Sequence, residues 1–597
     1  MSPARARAAR RRARYRQART ALAELRLQPA SALREAIAEG YGQQEFRHDV
    51  LAGLVVGVVA LPLSMALAIA AGVPPQHGLY TAIVAGAVVA FLGGSRVQVT
   101  GPTAAFVVIL VPIVHRFGLA GLLVATMMAG AILVGLGLAR MGKLLQFIPL
   151  PVTAGFTAGI AVVIAVLQLK DFFGLMPVGA PERFTQRVEQ LLAAAPGARW
   201  EEAVVGAGTL AVLLLWPRLR TKVPSPLVAL GLAAVAVALA KRLVPGFDVA
   251  TIGSRFHYVV DGVQREGIPR LPPMPVIPWR LPGPDGAPLP FTFSLVQDLL
   301  PSAFAIAMLG AIESLLSAVV ADGMAGTKHD PNVELVAQGT GNLVAPFFGG
   351  FAATGAIART ATNFRAGGRS PVAAITHSVV VLAAMLLLAP LLGALPMAAM
   401  AALLLMVAWN MSDLPHFVRV LRVAPRSDAL LLLTCFFLTV LFDMTVAVTA
   451  GVLMAAVLFM RRMADLSGVR MIEEGEHPAL REPVPPGVVL YEIAGPLFFG
   501  AAEKAMESLH ASAGEAGVVL LELGAVPVID ATGMVNLESA LARIAHAKAL
   551  VVLVRVQDQP AKFMARAGIV PMPGQLAFAA TLEEGLSLAR QHLARSS

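Results

Sequence analysis

Little in this chain is charged, aromatic or sulfur-bearing. Only 14% of its 597 residues are Asp, Glu, Lys or Arg, and 6% are aromatic. A soluble domain of this length keeps its surface wet with far more charge, so that class is excluded. The single cysteine, Cys435, excludes an intrachain disulfide framework and a CxxC metal knuckle. The eleven histidines form no HExxH or paired ligand spacing. Neither an enzyme, a metal centre nor a cofactor is expected. Acid is missing from the start of the chain: none precedes Glu24, while eight arginines fall in the first nineteen residues.

What is abundant is hydrocarbon. The chain is 57% hydrophobic, with mean hydropathy +0.73. Apolar runs approaching ~20 residues match the thickness of a bilayer core. They lie near 50–72, 76–93, 101–115, 119–139, 151–170, 203–217 and 224–244. After a polar interlude they resume near 295–323, 332–348, 352–365, 371–392, 394–411, 428–442 and 443–462. This predicts a polytopic helical membrane protein with fourteen segments. An odd count of seven in each half forces the halves into opposite orientation, an inverted repeat.

The expected organisation is a basic cytoplasmic arm, 1–49, largely helical; a first repeat, 50–245; and a Pro-rich extracytoplasmic loop, 246–294. A second repeat, 295–463, a linker, 464–486, and a soluble α/β domain, 487–597, follow. Nine prolines between Pro269 and Pro290 exclude regular helix there. Basic residues at the arm and at 461–463 place both termini in the cytoplasm of a bacterial inner membrane by the positive-inside rule. The +10 net charge reads as this tail beside anionic lipid, not as a nucleic-acid site. A transit peptide is the less favoured reading of the arm, and no secretory signal pattern is seen.

Two segments differ from ordinary spans. The third contains VTGPTAAF, and the tenth reads FAATGAIARTATNF. Each sets Thr-Gly before a short helical run: Thr100-Gly101 and Thr354-Gly355. They hold matching places in the two halves, which is the sequence pointer to a transporter's site. A helix starting at mid-membrane exposes unpaired N–H groups and about half a positive charge. Two such ends make a cavity for an anion. Arg359 adds a full charge, although an arginine near the bilayer centre costs at least ~2.5–3.5 kcal/mol. The alternative is an arginine that snorkels to an interface.

Glu313, in GAIESLLSAVVADG, is an acid within an apolar run and hence a functional candidate. Ser317 shares its helical face. A desolvated carboxyl holds a proton readily, so Glu313 is expected to couple transport to protons. The alternative is an ion pair with Arg359. Asp322 and Asp443 read as caps or loop-side partners, and His77, His115 and His377 as interfacial.

ALPLSMALAIAAGVPPQHGLYTAIVAG, GGSRVQVTGPTAAFVVIL and GGFAATGAIARTATNFRAGG resemble the SulP family of anion transporters. AMLGAIESLLSAVVADGMAGTKH, LPMAAMAALLLMVAWNMS and TVLFDMTVAV are most similar to its DauA-type four-carbon dicarboxylate carriers. The resemblance implies a seven-plus-seven fold shared with uracil transporters. Its core domain holds segments 1–4 and 8–11, and its gate domain segments 5–7 and 12–14. It implies an anion site at Thr100, Gly101, Pro102, Thr103 and Ala104, and at Gly355, Ala356, Ile357, Ala358 and Arg359.

Sodium-coupled relatives carry Asp and Thr where this chain has Glu313 and Ser317, and a hydroxyl at the place of Ile357, so sodium is disfavoured. Leu63, followed by Ser64, departs from the Gln or Glu common in the family. The resemblance also implies a homodimer. The expected activity is elevator-like, proton-coupled uptake of succinate, fumarate or aspartate. Sulfate, bicarbonate or chloride transport, channel-like conduction and a sensor role stand as alternatives.

In the tail, VVLYEIAG, VVLLELGAV and LVVLVRV read as short strands between helices. VIDATGMVNLESALARI resembles the STAS signature. Its turn offers Asp530, Thr532 and Gly533, with Ala531 where soluble relatives carry a phosphorylated serine. A nucleotide site or a plain capped turn are the two readings. A cytoplasmic protein partner is expected for this domain.

Overall fold

The computed structural model describes residues 28–596, apart from 146–148, 180–183, 220, 222, 261, 284–285, 443, 467, 473–483, 499–515 and 547. The arginine-rich start, Asp443 and most of the 464–486 linker fall outside the described residues. The chain separates into two compact units, dividing after Val452.

Ten helices among the described residues are long and apolar enough to cross a membrane, nine of them within the first unit and the tenth, Val446–Met463, running past its end. An amphipathic α1 (Ser31–Ala38) precedes α2 (Gln43–Ala70) and α3 (Pro75–Leu92). Strand β1 (Thr100–Gly101) leads into α4 (Ala104–Leu138). Helix α4 is broken at Gly118, whose φ of 66° and ψ of −168° are not helical, so it serves as the third and fourth segments. Then come α5 (Leu150–Phe172), α6 (Trp200–Leu215) and α7 (Ser225–Leu243). The second half repeats the plan: α8 (Phe293–Ala325), α9 (Pro331–Val344), β2 (Thr354–Gly355), α10 (Ile357–Arg365) and α11 (Pro371–Gly393). It ends with α12 (Met397–Ser412), α13 (Arg426–Leu441) and α14 (Met444–Leu466).

Local sequence explains the starts. Pro75, Pro151, Pro226, Pro331 and Pro371 each stand in the first turn of a helix. There the missing N–H costs nothing and the fixed φ suits the helix. Small residues then set the spacing. A Cβ on Gly130 of α4 would lie 2.7 Å from the Gly339 carbonyl oxygen, and one on Gly339 of α9 would lie 2.6 Å from that of Gly130. The two backbones touch, which is how apolar helices associate where no water drives them together.

The helices pack in two groups. Helix α11 lies along α2 and α3, while α9 lies along α3 and α4, and α8 along α4. Separately, α12 lies along α5 and α6, α13 along α5, and α7 along α6. Apart from segments 10 and 14, these groups match the segments assigned above to core and gate.

The loop between the halves lacks helix through most of its length, as its prolines require. It also contains a feature not anticipated, a hairpin of His257–Val260 with Val263–Glu266. The loop is tied down by Ile252 N–H to Leu395 O (3.0 Å), Met397 N–H to Ala250 O (2.8 Å) and Val276 N–H to Phe347 O (2.7 Å). Arg255 Nη1 meets Asp171 Oδ1 at 2.5 Å. Two further helices, Phe184–Ala194 and Leu414–Val423, were also not read from the sequence.

The second unit carries a five-stranded sheet in chain order: β3 (Gly468–Met471), β4 (Val488–Ala494), β5 (Val518–Ala525), β6 (Leu550–Val554) and β7 (Leu576–Ala579). Only β3–β4 is antiparallel. Alternation sorts the side chains to two faces. Tyr491, Val519, Leu521 and Leu553 pack with Leu537 and Ile544 of α15 (Ala531–His546). Leu490, Val518, Leu520 and Val552 pack with Leu582, Leu586 and Ala589 of α17 (Leu582–Ser596). Between these, α16 (Asp558–Arg566) joins the first face through Met564.

Candidate functional site

The two Thr-Gly breaks meet. Strands β1 and β2 pair antiparallel, Thr100 opposite Gly355 and Gly101 opposite Thr354. Ala356 N–H adds a bond to Val99 O at 2.9 Å. Each strand runs straight into a helix: α4 starts after Thr103, and α10 after Ala356. Neither start has a side-chain cap, so first-turn N–H groups at both remain available.

Arg359 stands in the first turn of α10, where a cation opposes the helix dipole. Helical side chains lean toward the N-terminus, which carries its guanidinium back over the helix start. The residue is 2% exposed. Its Nη2 donates to the Pro102 carbonyl of the other half, while Nε and Nη1 have no partner among the described residues. It therefore does not snorkel. Thr100, Gly101, Pro102, Ala104, Gly355 and Ala356 are buried around it, Thr103 is half-buried, and Ile357 and Ala358 are exposed.

Glu313 of α8 is half-buried, and its Oε2 accepts from Thr103 Oγ1 at 3.0 Å, at the residue that precedes α4. The alternative pairing is absent: among the described residues no ion pair joins Glu313 to Arg359. Ser317, one turn on, turns to Thr360 Oγ1 (3.2 Å) rather than sharing Glu313's partner.

Several polar groups of the site were missed in the sequence. Ser314 Oγ lies 2.7 Å from Thr354 Oγ1 and accepts from Gly355 N–H at 3.2 Å. Thr360 Oγ1 accepts from Val99 N–H (3.1 Å), and Asn363 Nδ2 donates to Val97 O (2.8 Å). Glu334, Gln98 and Gln338 form a buried network reaching Thr100. Each is a polar residue within or beside an apolar segment, and its partner lies far along the chain.

Among the histidines, His115 is exposed and His77 bonds the Gly349 carbonyl at 2.7 Å through Nδ1. His377 is fully buried in α11, because its helix begins six residues earlier at Pro371 and packs against α2 and α3. Its interfacial reading is thus corrected. Ser64 is fully buried beside the half-buried Leu63. Asp322 is a loop-side partner: its Oδ2 takes His329 N–H at 2.8 Å, and its Oδ1 takes Thr327 Oγ1 at 2.8 Å.

The family assignment now has both motif and geometry beneath it. Residues 46–436 match the sulfate permease family, and residues 480–585 the STAS domain. The chain belongs to the sulfate permease (SulP) family. The putative sulfate transporter YvdB of Bacillus subtilis is 40% identical over 90% of this chain and 97% of its own. The bicarbonate transporter BicA of Picosynechococcus is 30% identical over 83% and 86%. Among solved structures, the murine solute carrier 26 family member A9 anion transporter superposes with a TM-score of 0.81 over 94% of both chains. At 18% identity that likeness carries the fold alone. The transmembrane domain of a cyanobacterial BicA covers 68% of this chain at 28% identity, TM-score 0.59. The protein is a multi-pass SulP anion transporter with a STAS domain, not an enzyme.

In that STAS domain, Asp530 Oδ1 accepts from Gly533 N–H at 2.7 Å and so caps α15. Thr532 is exposed and Gly533 buried. A Cβ on Gly533 would collide with the Leu497 carbonyl, so this turn demands glycine.

Proposed function

We propose that the chain is a secondary carrier that takes up a compact divalent oxyanion, sulfate first, in exchange for the charge and space of the paired helix starts. The observation that carries this is Arg359: a buried guanidinium with two unpartnered nitrogens beside two uncapped helix N-termini. Two half-charges and one full charge give roughly two positive charges, which a dianion balances. The half-charges converge, because the strands leading to them are paired directly. A tetrahedral dianion holds its charge at one point, whereas a four-carbon dicarboxylate holds it at two ends.

The residues assigned to the anion are Thr100, Gly101, Pro102, Thr103 and Ala104 on one side, and Gly355, Ala356, Ile357, Ala358 and Arg359 on the other. Glu313 takes a proton: a carboxylate hydrogen-bonded at the first helix start repels an incoming anion, and protonation removes that repulsion. Ser317 supports it by holding α8 to α10. The core group then moves against the gate group to expose the site alternately. The remaining elements of the reading are a bacterial inner membrane, cytoplasmic termini, a homodimer and a regulatory partner for the STAS domain.

Uptake of radiolabelled sulfate, bicarbonate, succinate, fumarate and aspartate into proteoliposomes, at acidic and neutral external pH, tests this. Saturable sulfate accumulation, stimulated by external acid, is expected. Faster succinate than sulfate uptake establishes the four-carbon reading instead, and bicarbonate preference a monovalent site. Gradient-independent, non-saturating flux establishes a channel.

A further inference from the structure

Glu334 of α9 is a further buried acid, 1% exposed, and the transport reading above gives it no task. Its Oε2 accepts from the backbone N–H groups of Gly94 (3.0 Å) and Ser95 (3.2 Å). Its Oε1 accepts from Gln98 Nε2 (3.0 Å) and Gln338 Nε2 (3.3 Å). Gln338 Nε2 also donates to Thr100 Oγ1 at 2.8 Å. A hydrogen-bond chain thus runs from Glu334 through Gln338 to the strand that opens the first helix start.

The direction of that chain is unusual. A carboxylate only accepts, so both glutamines must present their N–H₂ groups to it. In doing so, each leaves its own carbonyl oxygen buried without a partner among the described residues. Turning the Gln338 amide over would give its oxygen a donor, the Thr100 hydroxyl. The negative charge of Glu334 forbids this. Thr100 Oγ1 is therefore made an acceptor toward Gln338, and its proton has no acceptor among the described residues.

We propose that Glu334 is a positioning residue that sets the polarity of this chain, so that the Thr100 hydroxyl keeps its proton for the transported anion. The inference rests on the placement of Thr100 in the anion site. It assigns Glu334 a role in affinity, exerted through Gln338, without contact with the anion. Two unsatisfied carbonyl oxygens are a standing cost in a buried network. A glutamine there keeps the Gly94 and Ser95 contacts through its oxygen, but its N–H₂ group no longer holds Gln338 in this orientation.

Glu334→Gln in the full chain, reconstituted in proteoliposomes, tests this with radiolabelled sulfate, succinate and bicarbonate in parallel. The expected result is a KM for the transported anion raised about tenfold, the size of one hydrogen bond to a charged group. Vmax and the thermal midpoint are expected to hold. Adding Glu334→Gln to Thr100→Val should raise KM no further, since the hydroxyl is already gone. Gln98→Leu removes a donor from the same carboxylate but leaves Gln338 oriented; it should lower the thermal midpoint. A wild-type KM in Glu334→Gln, when Thr100→Val is impaired, overturns this inference alone. So does an equal KM increase with and without Thr100. A normal KM in Thr100→Val overturns the placement of Thr100 in the site and this inference with it.

Discussion

Gly101 makes room for Arg359. A Cβ at residue 101 would fall within van der Waals distance of the Arg359 guanidinium, which crosses from the other half of the chain. The relationship is reciprocal, because a Cβ at Gly355 would collide with the Gln98 amide from the first half. Each half thus uses its glycine to admit a side chain of the other at the crossing of β1 and β2.

Gly101→Ala is expected to displace the guanidinium and reduce sulfate uptake at least as strongly as Arg359→Lys. The lysine keeps a charge but loses the planar fork of donors, and about a tenfold or greater loss of Vmax/KM is expected. Arg359→Ala should leave no measurable uptake. Initial rates in proteoliposomes, with protein orientation checked, decide this; full activity in Arg359→Ala removes the cation from the mechanism.

Glu313→Gln should flatten the dependence of uptake on external pH, because a neutral amide mimics the protonated acid at every pH. Thr103→Val, which removes the donor 3.0 Å from Glu313, should shift the midpoint of that dependence. Counterflow rates across an acid-to-neutral series read both.

Gly339→Ala places a methyl 2.6 Å from the Gly130 carbonyl oxygen and the Val134 nitrogen. Both neighbours are backbone and cannot move aside. A loss of about 1–3 kcal/mol is expected, as for overpacked interiors. A thermal melt in detergent should show a lower midpoint, whereas Gly135→Ala, with nothing near its added carbon, should not.

Asp530→Ala removes the acceptor for Gly533 N–H and should loosen the first turn of α15 by about 0.5–2 kcal/mol. Hydrogen exchange over residues 531–546 of the full chain reports this directly. Asp530→Asn, which retains an acceptor oxygen, should restore most of the protection.

How much of this was legible in one dimension depends on which partner a residue needed. The class of the protein, its inverted halves and the two helix starts followed from local facts. These were long apolar runs, an odd count in each half, and Thr-Gly at matching places. Arg359 and Glu313 stood out because a lone charge among apolar residues is costly whatever surrounds it. Tertiary structure decided everything that needed a distant partner. Glu334 meets Gln98 across 236 residues of chain, and Thr103 meets Glu313 across 210. Side-chain hydrogen bonds carry no periodicity, so nothing local announces them. The break at Gly118 was legible as the gap between the apolar runs 101–115 and 119–139, whereas the hairpin of His257–Val260 with Val263–Glu266 was not. The sequence determined that two Thr-Gly breaks would each open a helix and that a lone arginine would stand beside one of them; the packing of one half against the other determined which groups surround Arg359 and which are consumed in joining the two starts.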